Sequence, residues 1–225
     1  MLRHLAVALP LLVALLAGCT APAPAADNGC AGVQRSSLDV PANHTVALLS
    51  TSKGCIVAEL FDDQAPITVA NFRAYASEQF FDGVLFHRII SGFMVQTGGM
   101  GTDGAFKDAT HPMIQNEARA SGLKNTAYTL SMARMGRNPD GTGDGANTAT
   151  NQFFINHADT RTLAATASSA GYAVFGKVVQ GRDVVDAIAA TPVETYDAST
   201  SKHCQRDNSP SCPVTDVVLQ AVRLL

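Results

Sequence analysis

The sequence predicts a mainly β protein with about eight strands and only two helices. Short segments rich in β-branched or aromatic residues are bounded by Gly, Pro, Asn or Asp, a pattern typical of strands. Apolar residues recur at helical spacing in only two places. The predicted strands are residues 46–49, 56–61, 85–90, 93–96, 128–133, 152–156, 173–179 and 217–222.

The chain begins with a pattern typical of a bacterial lipoprotein signal peptide. Arg3 precedes an apolar run over residues 5–16, and the run ends at Leu16-Ala17-Gly18-Cys19. An apolar run this short predicts a targeting segment rather than a membrane-spanning helix. We therefore expect cleavage before Cys19 and lipidation of Cys19, with plain secretion as the alternative. We expect a lipid-anchored protein of the cell envelope. In a Gram-negative host, Thr20 would favour sorting to the outer membrane, with the protein facing the periplasm.

The chain is predicted to have three parts. The Pro/Ala-rich residues 21–26 are too poor in large apolar side chains to fold, and they predict a tether. The residues that follow the tether suffice for one well-buried domain. The predicted parts are a signal peptide (1–18), a tether (19–43) and a single domain (44–225).

Four of the five cysteines remain once Cys19 is set aside. An even number in an exported protein favours two disulfides. Cys204 and Cys212 lie close together in a polar loop, and Cys30 could join the N-terminal segment to the strand near Cys55. The alternative is that all four cysteines are free thiols in a reducing compartment. That alternative applies only if the N-terminal segment is not a signal peptide.

The two helices are predicted after Pro66 and after Gly181. Proline suits the first position of a helix because its missing N–H would be unpaired there in any case. The apolar residues at helical spacing are Val69, Phe72 and Ala76 in the first helix, and Val184, Val185 and Ile188 in the second.

Residues 86–99 place one arginine and one glutamine among large apolar side chains. In two short strands joined by a turn, Phe86, Arg88 and Ile90 share one face, while Met94 and Gln96 share another. A cation could therefore lie beside an apolar pocket. If only a few of these residues are considered, the alternative is a half-buried hairpin with a surface arginine and no binding site. His87 points away from Arg88, and structural packing is its expected role.

This stretch resembles the signature of the cyclophilin-type peptidyl-prolyl cis-trans isomerases, and the resemblance covers residues 44–225. Further blocks follow in the family's order, and two of them, at 133–134 and 171–172, resemble the bacterial branch. The resemblance implies a closed eight-stranded antiparallel barrel capped by two helices. The blocks are 51–61, 65–72, 116–118, 123–126, 130–134, 151–156 and 171–178.

The resemblance implies that the domain isomerises X-Pro bonds in proline-containing polypeptides. The barrier comes from amide resonance and no covalent step is needed, so we expect neither cofactor nor metal. Arg88 would donate a hydrogen bond to the prolyl nitrogen in the twisted state, and Gln96 would orient Arg88 and contact the substrate backbone.

The resemblance also implies a set of substrate-binding residues. An apolar pocket would hold the proline ring, and backbone groups would dock the residues before it. For Phe93 or Phe154 alone, a place in the barrel core is the favoured role, but together with Arg88 they favour the pocket. Gln152 either orders a loop or lies beside the substrate. The residues are Phe93, Met94, Phe154, Leu163 and Tyr172 for the pocket, Ala133 and Arg134 for docking, and Gln152.

Two positions depart from the family's pattern. Thr162 aligns where the family carries Trp or Phe, and Tyr172 aligns where many members carry a pocket histidine. One wall of the pocket is therefore expected to be smaller. The resemblance implies that cyclosporin, the family's cyclic-peptide inhibitor, binds this chain weakly.

The composition argues against several other classes of protein. A net charge of −3 lacks the basic balance that nucleic-acid binding favours. The six histidines form no zinc-binding motif, and the Gly-rich residues 141–145 neither follow a strand nor open a helix, which argues against dinucleotide binding. No Gly-x-Ser-x-Gly motif supports a hydrolase.

Two functions remain, and we expect a monomer for either. The first is an isomerase that assists the folding of exported proteins. The second is a binding module that holds extended segments in the proline groove. The residues Arg88, Phe93, Gln96 and Phe154 favour the enzyme, whereas Thr162 leaves room for the module.

Overall fold

The computed structural model describes residues 29–197, 203–204 and 210–225. Within these residues the chain forms one large antiparallel sheet, one small sheet and three α-helices. In chain order the elements are β1 (Val46–Thr51), β2 (Gly54–Leu60), α1 (Pro66–Ser77), β3 (Val84–Leu85), β4 (Arg88–Ile90), β5 (Met94–Thr97), α2 (Ala118–Ser121), β6 (Thr129–Met132), β7 (Phe153–Asn156), β8 (Val174–Gln180), α3 (Arg182–Ala189), β9 (Val193–Thr195), β10 (Pro210–Pro213) and β11 (Val218–Leu224).

The large sheet has nine strands in the order β3-β11-β1-β2-β8-β6-β7-β5-β4 and curls around the core. The mainly β prediction is confirmed, but the closed eight-stranded barrel needs correction. Among the described residues no ladder joins the end strands β3 and β4; an isolated bridge instead pairs Val84 with Gly101, just beyond β5. We therefore describe a curled nine-stranded sheet.

The strand count differs because the predicted strand 85–90 is divided. Leu85 pairs with β11 and Arg88 pairs with β5, so the chain changes partners at residues 86–87. The Phe86 N–H donates to the Val217 carbonyl over 2.8 Å at this corner. The two-residue period shifts at this corner, because Phe86 and Ile89 both pack in the core. The expectation that Phe86 shares a face with Arg88 is therefore wrong, and alternation within one predicted strand could not show the shift.

Packed aromatic rings fill the interior beneath helix α1. Phe72 lies 5.2 Å from Phe81 and 5.3 Å from both Phe153 and Phe175, measured between ring centroids. Such contacts add to the free energy gained by burying the rings. Both predicted helices are confirmed, and α1 begins at Pro66.

The N-terminus of α1 is capped by a residue that lies far away in the sequence. The Glu117 carboxylate accepts hydrogen bonds from the Ile67 N–H over 3.1 Å and from the Thr68 N–H over 2.7 Å. A carboxylate there satisfies unpaired N–H groups and complements the helix dipole. Glu117 also directly precedes α2, a short helix that was not predicted.

Helix α3 needs a glycine at its start. Gly181 has φ +84°, and a Cβ on it would lie 2.2 Å from the Cys55 carbonyl oxygen. From this tight start the helix buries Val185 and Ile188 completely. Asp186 lies between them in the sequence and is half-exposed, with 49% of its side chain accessible.

Residues 29–43 pack against the sheet, although the prediction placed them in the tether. Cys30 packs with Val46, Leu48 and Val57 in a small second core, and the Arg35 guanidinium donates to three backbone carbonyls of residues 41–44. The folded unit therefore begins before residue 44, because Cys30 is buried and Val33, Leu38 and Val40 are partly buried against the sheet. The signal peptide and residues 19–28 lie outside the described residues.

Both predicted disulfides are confirmed. Cys30 is bonded to Cys55, and Cys204 is bonded to Cys212. Cys212 belongs to β10, which pairs with β9 in the small sheet. These two strands were not predicted, and in β10 Pro210 and Pro213 argue against a strand. No helix in the described part of the chain is long and apolar enough to cross a membrane.

Candidate active site

The candidate catalytic residues lie in one row across three neighbouring strands. Arg88 of β4 is directly opposite Gln96 of β5, and Gln96 is directly opposite Phe154 of β7. Residues directly opposite each other in antiparallel strands project from the same face of the sheet. The expectation that Arg88 and Gln96 belong to different faces is therefore wrong, because pairing register, not position within each strand, decides the shared face.

The row opens into a cavity of about 180 Å³. Of the predicted site residues, only Gln152 is absent from its lining. The Arg88 Nη1 group lies 3.8 Å from the Met94 sulfur, so the guanidinium projects along the apolar floor. The lining consists of Arg88, Phe93, Met94, Gln96, Ala133, Arg134, Phe154, Leu163 and Tyr172. The cavity thus brings a permanent cation beside apolar side chains, with no acidic side chain in the lining.

Gln152 instead makes a side-chain hydrogen bond with Gln96. The Gln96 Nε2 group donates to Gln152 Oε1 over 2.9 Å. Gln152 lies directly against Gly99, where an added Cβ would lie 2.7 to 2.9 Å from three of its side-chain atoms. The second glycine of Gly98-Gly99 therefore leaves space for the side chain that orients Gln96.

A second cavity of about 420 Å³ continues the groove beyond Gln96. It is larger than the first, but Arg88 does not line it, so we place the chemistry in the first. Its lining includes residues that were not predicted, because they come from loops without regular periodicity. These residues are Phe106, Met135, Gly136, Thr148 and Thr150.

The opposite wall of the Arg88 cavity is built from loops. The Arg134 Nε group donates to the Gly171 carbonyl over 2.8 Å, its Nη1 group donates to the Asp144 carbonyl, and its guanidinium carbon lies 4.7 Å from the centre of the Tyr172 ring. The Tyr172 ring meets Phe154 edge to face at 5.7 Å. Arg134 therefore connects the loops that form this wall, and it also lines the cavity.

Thr162 lies on the exposed outside of this wall. It is the middle residue of a single 3-10 turn, Arg161–Leu163, and the next residue, Leu163, reaches the cavity. Thr162 lines neither cavity, so the predicted reduction of this wall falls at an exposed position where a larger side chain would not disturb the core.

His87 lies behind the row and is completely buried. The pKa of His87 is lowered to about 4, mainly by burial; contacts with the Leu85 backbone and the Gln152 side chain partly offset this lowering, and the charge of Arg88 adds slightly to it. Neither ring nitrogen makes a hydrogen bond of good geometry, and the ring meets Phe106 edge to face at 5.4 Å. His87 is thus neutral at physiological pH and packs as an aromatic side chain.

The described residues contain no cluster of three or more His, Cys, Asp or Glu side chains arranged to hold a metal ion. The polar groups of the groove are guanidinium, amide and hydroxyl groups. These groups donate and accept hydrogen bonds, and none of them is a strong nucleophile unless a base activates it. The arrangement is suited to binding and polarising an uncharged polar group next to an apolar one.

Comparison with known proteins agrees with this geometry. Residues 46–208 match the family described as cyclophilin type peptidyl-prolyl cis-trans isomerase/CLD. The chain is 44% identical over 177 residues to a peptidyl-prolyl cis-trans isomerase of Acinetobacter baylyi, covering 79% of this chain and 85% of that protein. It is 41% identical over 181 residues to peptidyl-prolyl cis-trans isomerase A of Dickeya dadantii, covering 80% of this chain and 85% of that protein.

The fold is also similar to a solved structure, that of a cyclophilin type peptidyl-prolyl cis-trans isomerase from Cryptosporidium parvum. The TM-score is 0.61 at 21% identity, and the match covers 81% of this chain and 98% of that one. At this identity the likeness concerns the fold.

Proposed function

We propose a mechanism for this chain from one premise: it belongs to the cyclophilin-type peptidyl-prolyl cis-trans isomerase family and is an enzyme of that activity. The reaction is a rotation about the bond between a residue and the proline that follows. Amide resonance imposes a barrier of about 18 to 20 kcal/mol on that rotation. The enzyme must therefore bind the twisted state more tightly than either planar state.

Arg88 is the proposed catalytic donor. In the twisted amide the prolyl nitrogen regains a lone pair, and it can then accept a hydrogen bond that it cannot accept in the planar form. A guanidinium is suited to that task because it stays charged at physiological pH and holds its N–H groups in a fixed plane. Gln96, directly opposite Arg88 and bonded to Gln152, would keep that plane in place.

The single observation that supports this proposal is the row of Arg88, Gln96 and Phe154 beside an apolar cavity. The proline ring would occupy the cavity over Phe93 and Met94, and its nitrogen would then lie near the guanidinium. Backbone groups of Ala133 and the neighbouring loop would dock the residues that precede proline.

The test is the loss of turnover when Arg88 is removed. We expect Arg88→Ala to lower kcat/KM for a short X-Pro peptide roughly 100-fold to 1,000-fold, about 2.7 to 4 kcal/mol, by analogy with other preorganised donors. Arg88→Lys should not restore full activity, because an ammonium group lacks the planar fork. NMR exchange spectroscopy on the peptide gives the rate without a coupled protease.

Arg223→Ala on β11, which removes an arginine paired with Asp82 away from the groove, is the matched control and should keep the wild-type rate. A folded Arg88→Ala protein within about threefold of the wild-type rate would refute the assignment of Arg88. The groove would then serve mainly to hold proline-containing segments.

We also propose that the enzyme works in the cell envelope, where it assists the folding of exported proteins and is anchored through lipid on Cys19, on the outer membrane and facing the periplasm. The N-terminal pattern supports this location, and so do the two disulfides, since such bonds persist in oxidising compartments. Acyl mass on an N-terminal Cys19, and release from membranes on Cys19→Ala, would be expected. Fully soluble protein cleaved elsewhere would contradict it.

A further inference from the structure

His157 contacts the turn that carries Phe93, through both its side chain and its backbone. The Gly92 N–H donates to His157 Nδ1 over 2.9 Å. The His157 N–H donates to the Phe93 carbonyl over 2.9 Å. His157 directly follows β7, which supplies Phe154 to the cavity, so these two hydrogen bonds join one side of the cavity to another.

The other ring nitrogen of His157 faces helix α3. Its Nε2 atom lies 3.3 Å from Asp186 Oδ1. The Tyr128 hydroxyl donates to the same oxygen over 3.0 Å, and the Arg182 guanidinium carbon lies 5.1 Å from the centre of the Tyr128 ring. The hydrogen bond to Asp186 raises the pKa of Tyr128, so the hydroxyl stays a neutral donor. A second carboxylate, Asp159, lies two residues along the chain and accepts from the Ala127 N–H.

These contacts define the protonation state of the imidazole. Nδ1 accepts from an N–H, so it carries no proton, and the proton of the neutral ring lies on Nε2, toward Asp186. Protonation of Nδ1 would remove the lone pair that accepts from Gly92 and set two N–H groups against each other. The imidazolium would keep a favourable ion pair with Asp186 on α3. Protonation would therefore break the contact with the turn and leave the contact with the helix intact.

We propose that His157 is a positioning residue that holds the turn 91–93, and with it Phe93, in the form that binds proline. Protonation of its Nδ1 atom releases the turn and weakens peptide binding. This inference rests on the proposed function, in which Phe93 forms part of the proline pocket. Phe93 is only half-buried, so its position depends on how well the turn is held.

The experiment measures KM and kcat for a short X-Pro peptide by NMR exchange between pH 8 and pH 5.5, a range in which imidazoles ordinarily titrate. His157→Leu removes the acceptor, and we expect KM to rise about 2-fold to 12-fold at all pH values, as the loss of one hydrogen bond predicts. Since Arg88 is untouched, kcat should change less than 2-fold. Wild-type protein should approach the His157→Leu values as the pH falls.

His157→Asn is the decisive variant, because its amide oxygen can accept from Gly92 but does not titrate. We expect it to bind peptide at pH 8 nearly as well as wild type and to keep that affinity at pH 5.5. His111→Asn, which changes a histidine that contacts Glu78 and lines neither cavity, is the matched control and should keep the wild-type pH dependence. Thermal melts at each pH establish that every variant is folded.

Two results would overturn the inference: a KM for wild type and His157→Asn that changes with pH in the same way, or a folded His157→Leu protein with wild-type KM. Phe93→Ala separates this failure from that of the proposed function. If Phe93→Ala weakens binding and the His157 variants do not, only the role of His157 fails. If Phe93→Ala binds peptide normally, the pocket assignment itself fails.

Discussion

The two walls of the Arg88 cavity are built in different ways. One wall consists of Arg88, Gln96 and Phe154, which adjacent strands hold through ladder hydrogen bonds. The other consists of loop residues such as Leu163 and Tyr172, which are held by bonds such as the one between the Tyr172 N–H and the Leu163 carbonyl, 2.9 Å long. The strand wall is shared with the protein core, whereas the loop wall could change without disturbing that core.

This difference fits the positions at which the sequence is expected to depart from its family. Both departures, at Thr162 and Tyr172, lie on the loop wall, and the proposed catalytic row lies on the strand wall. A donor needs a fixed position relative to the reacting bond, and strands give better precision than loops. Substrate and inhibitor preference can vary on the loop wall because a change there costs little folding free energy.

The largest expected contrast comes from removing one apolar side chain from each wall. Phe154 is 4% exposed, so Phe154→Ala should lower the free energy of unfolding by about 3 to 5 kcal/mol and also weaken peptide binding. Leu163 is only partly buried, and Leu163→Ala should weaken binding with less than about 1 kcal/mol lost in stability. Denaturant melts and peptide titration measure both effects. Equal losses of stability would show that the walls do not differ.

The next largest effect is expected behind the strand wall, at His87. The pKa of its folded-state imidazole is about 4, against an ordinary value of 6.5, so the unfolded chain binds the proton more tightly. Stability should therefore fall as the pH decreases from about 6.5 to about 4, by about 3 kcal/mol for this group. His87→Leu should show a smaller acid loss than wild type by that amount in melts at a series of pH values.

Parallel pH profiles for wild type and His87→Leu would mean that His87 is not held neutral by burial.

Cyclosporin tests the loop wall directly. Without a large aromatic at Thr162, binding should be weaker by on the order of 2 kcal/mol, roughly thirtyfold, than in members that carry one. Thr162→Trp should recover part of that affinity in isothermal titration, and its melting temperature should stay near that of wild type because Thr162 is exposed. Tight binding by the wild-type protein would mean that Thr162 does not correspond to the family's aromatic position.

The smallest effect is expected where the two walls are joined. Asn125 accepts from the Ser131 hydroxyl over 2.8 Å and donates to the Tyr172 carbonyl over 3.2 Å. Asn125→Ala should cost about 1 kcal/mol in stability and raise KM a few-fold at unchanged kcat, because it frees the loop wall. Hydrogen exchange of residues 160–172 should increase. Asn43→Ala, which removes an exposed hydrogen bond to Asp63, serves as the control; a lower kcat with unchanged KM would contradict the prediction.

Much of the fold and of the candidate site could be predicted from short stretches of sequence. Most strands appear from alternation, both helices from their spacing, and the cavity lining from one motif with its companion blocks. The prediction missed β9 and β10 because prolines next to β9 and within β10 argue against strands. It missed the lining residues Phe106 and Met135 because residues in loops show no regular spacing of apolar positions. Gln152 was predicted to order a loop or to lie beside the substrate, and its hydrogen bond to Gln96 and its place in the second cavity are compatible with both roles.

The sequence by itself determined which residue types this protein has available: the arginine, the glutamine, the apolar pocket residues, the four cysteines and the order of the elements. Only the tertiary structure decided that Arg88 faces Gln96, that Glu117 caps α1 and that His157 holds the turn before β5. The elements come from local propensity and burial, which depend on neighbours a few residues away. The cap on α1 and the His157 contact join residues that lie far apart in the sequence, which no short-range pattern encodes. Arg88 and Gln96 lie in one hairpin, but their pairing register decides that they meet, and alternation within each strand does not fix that register.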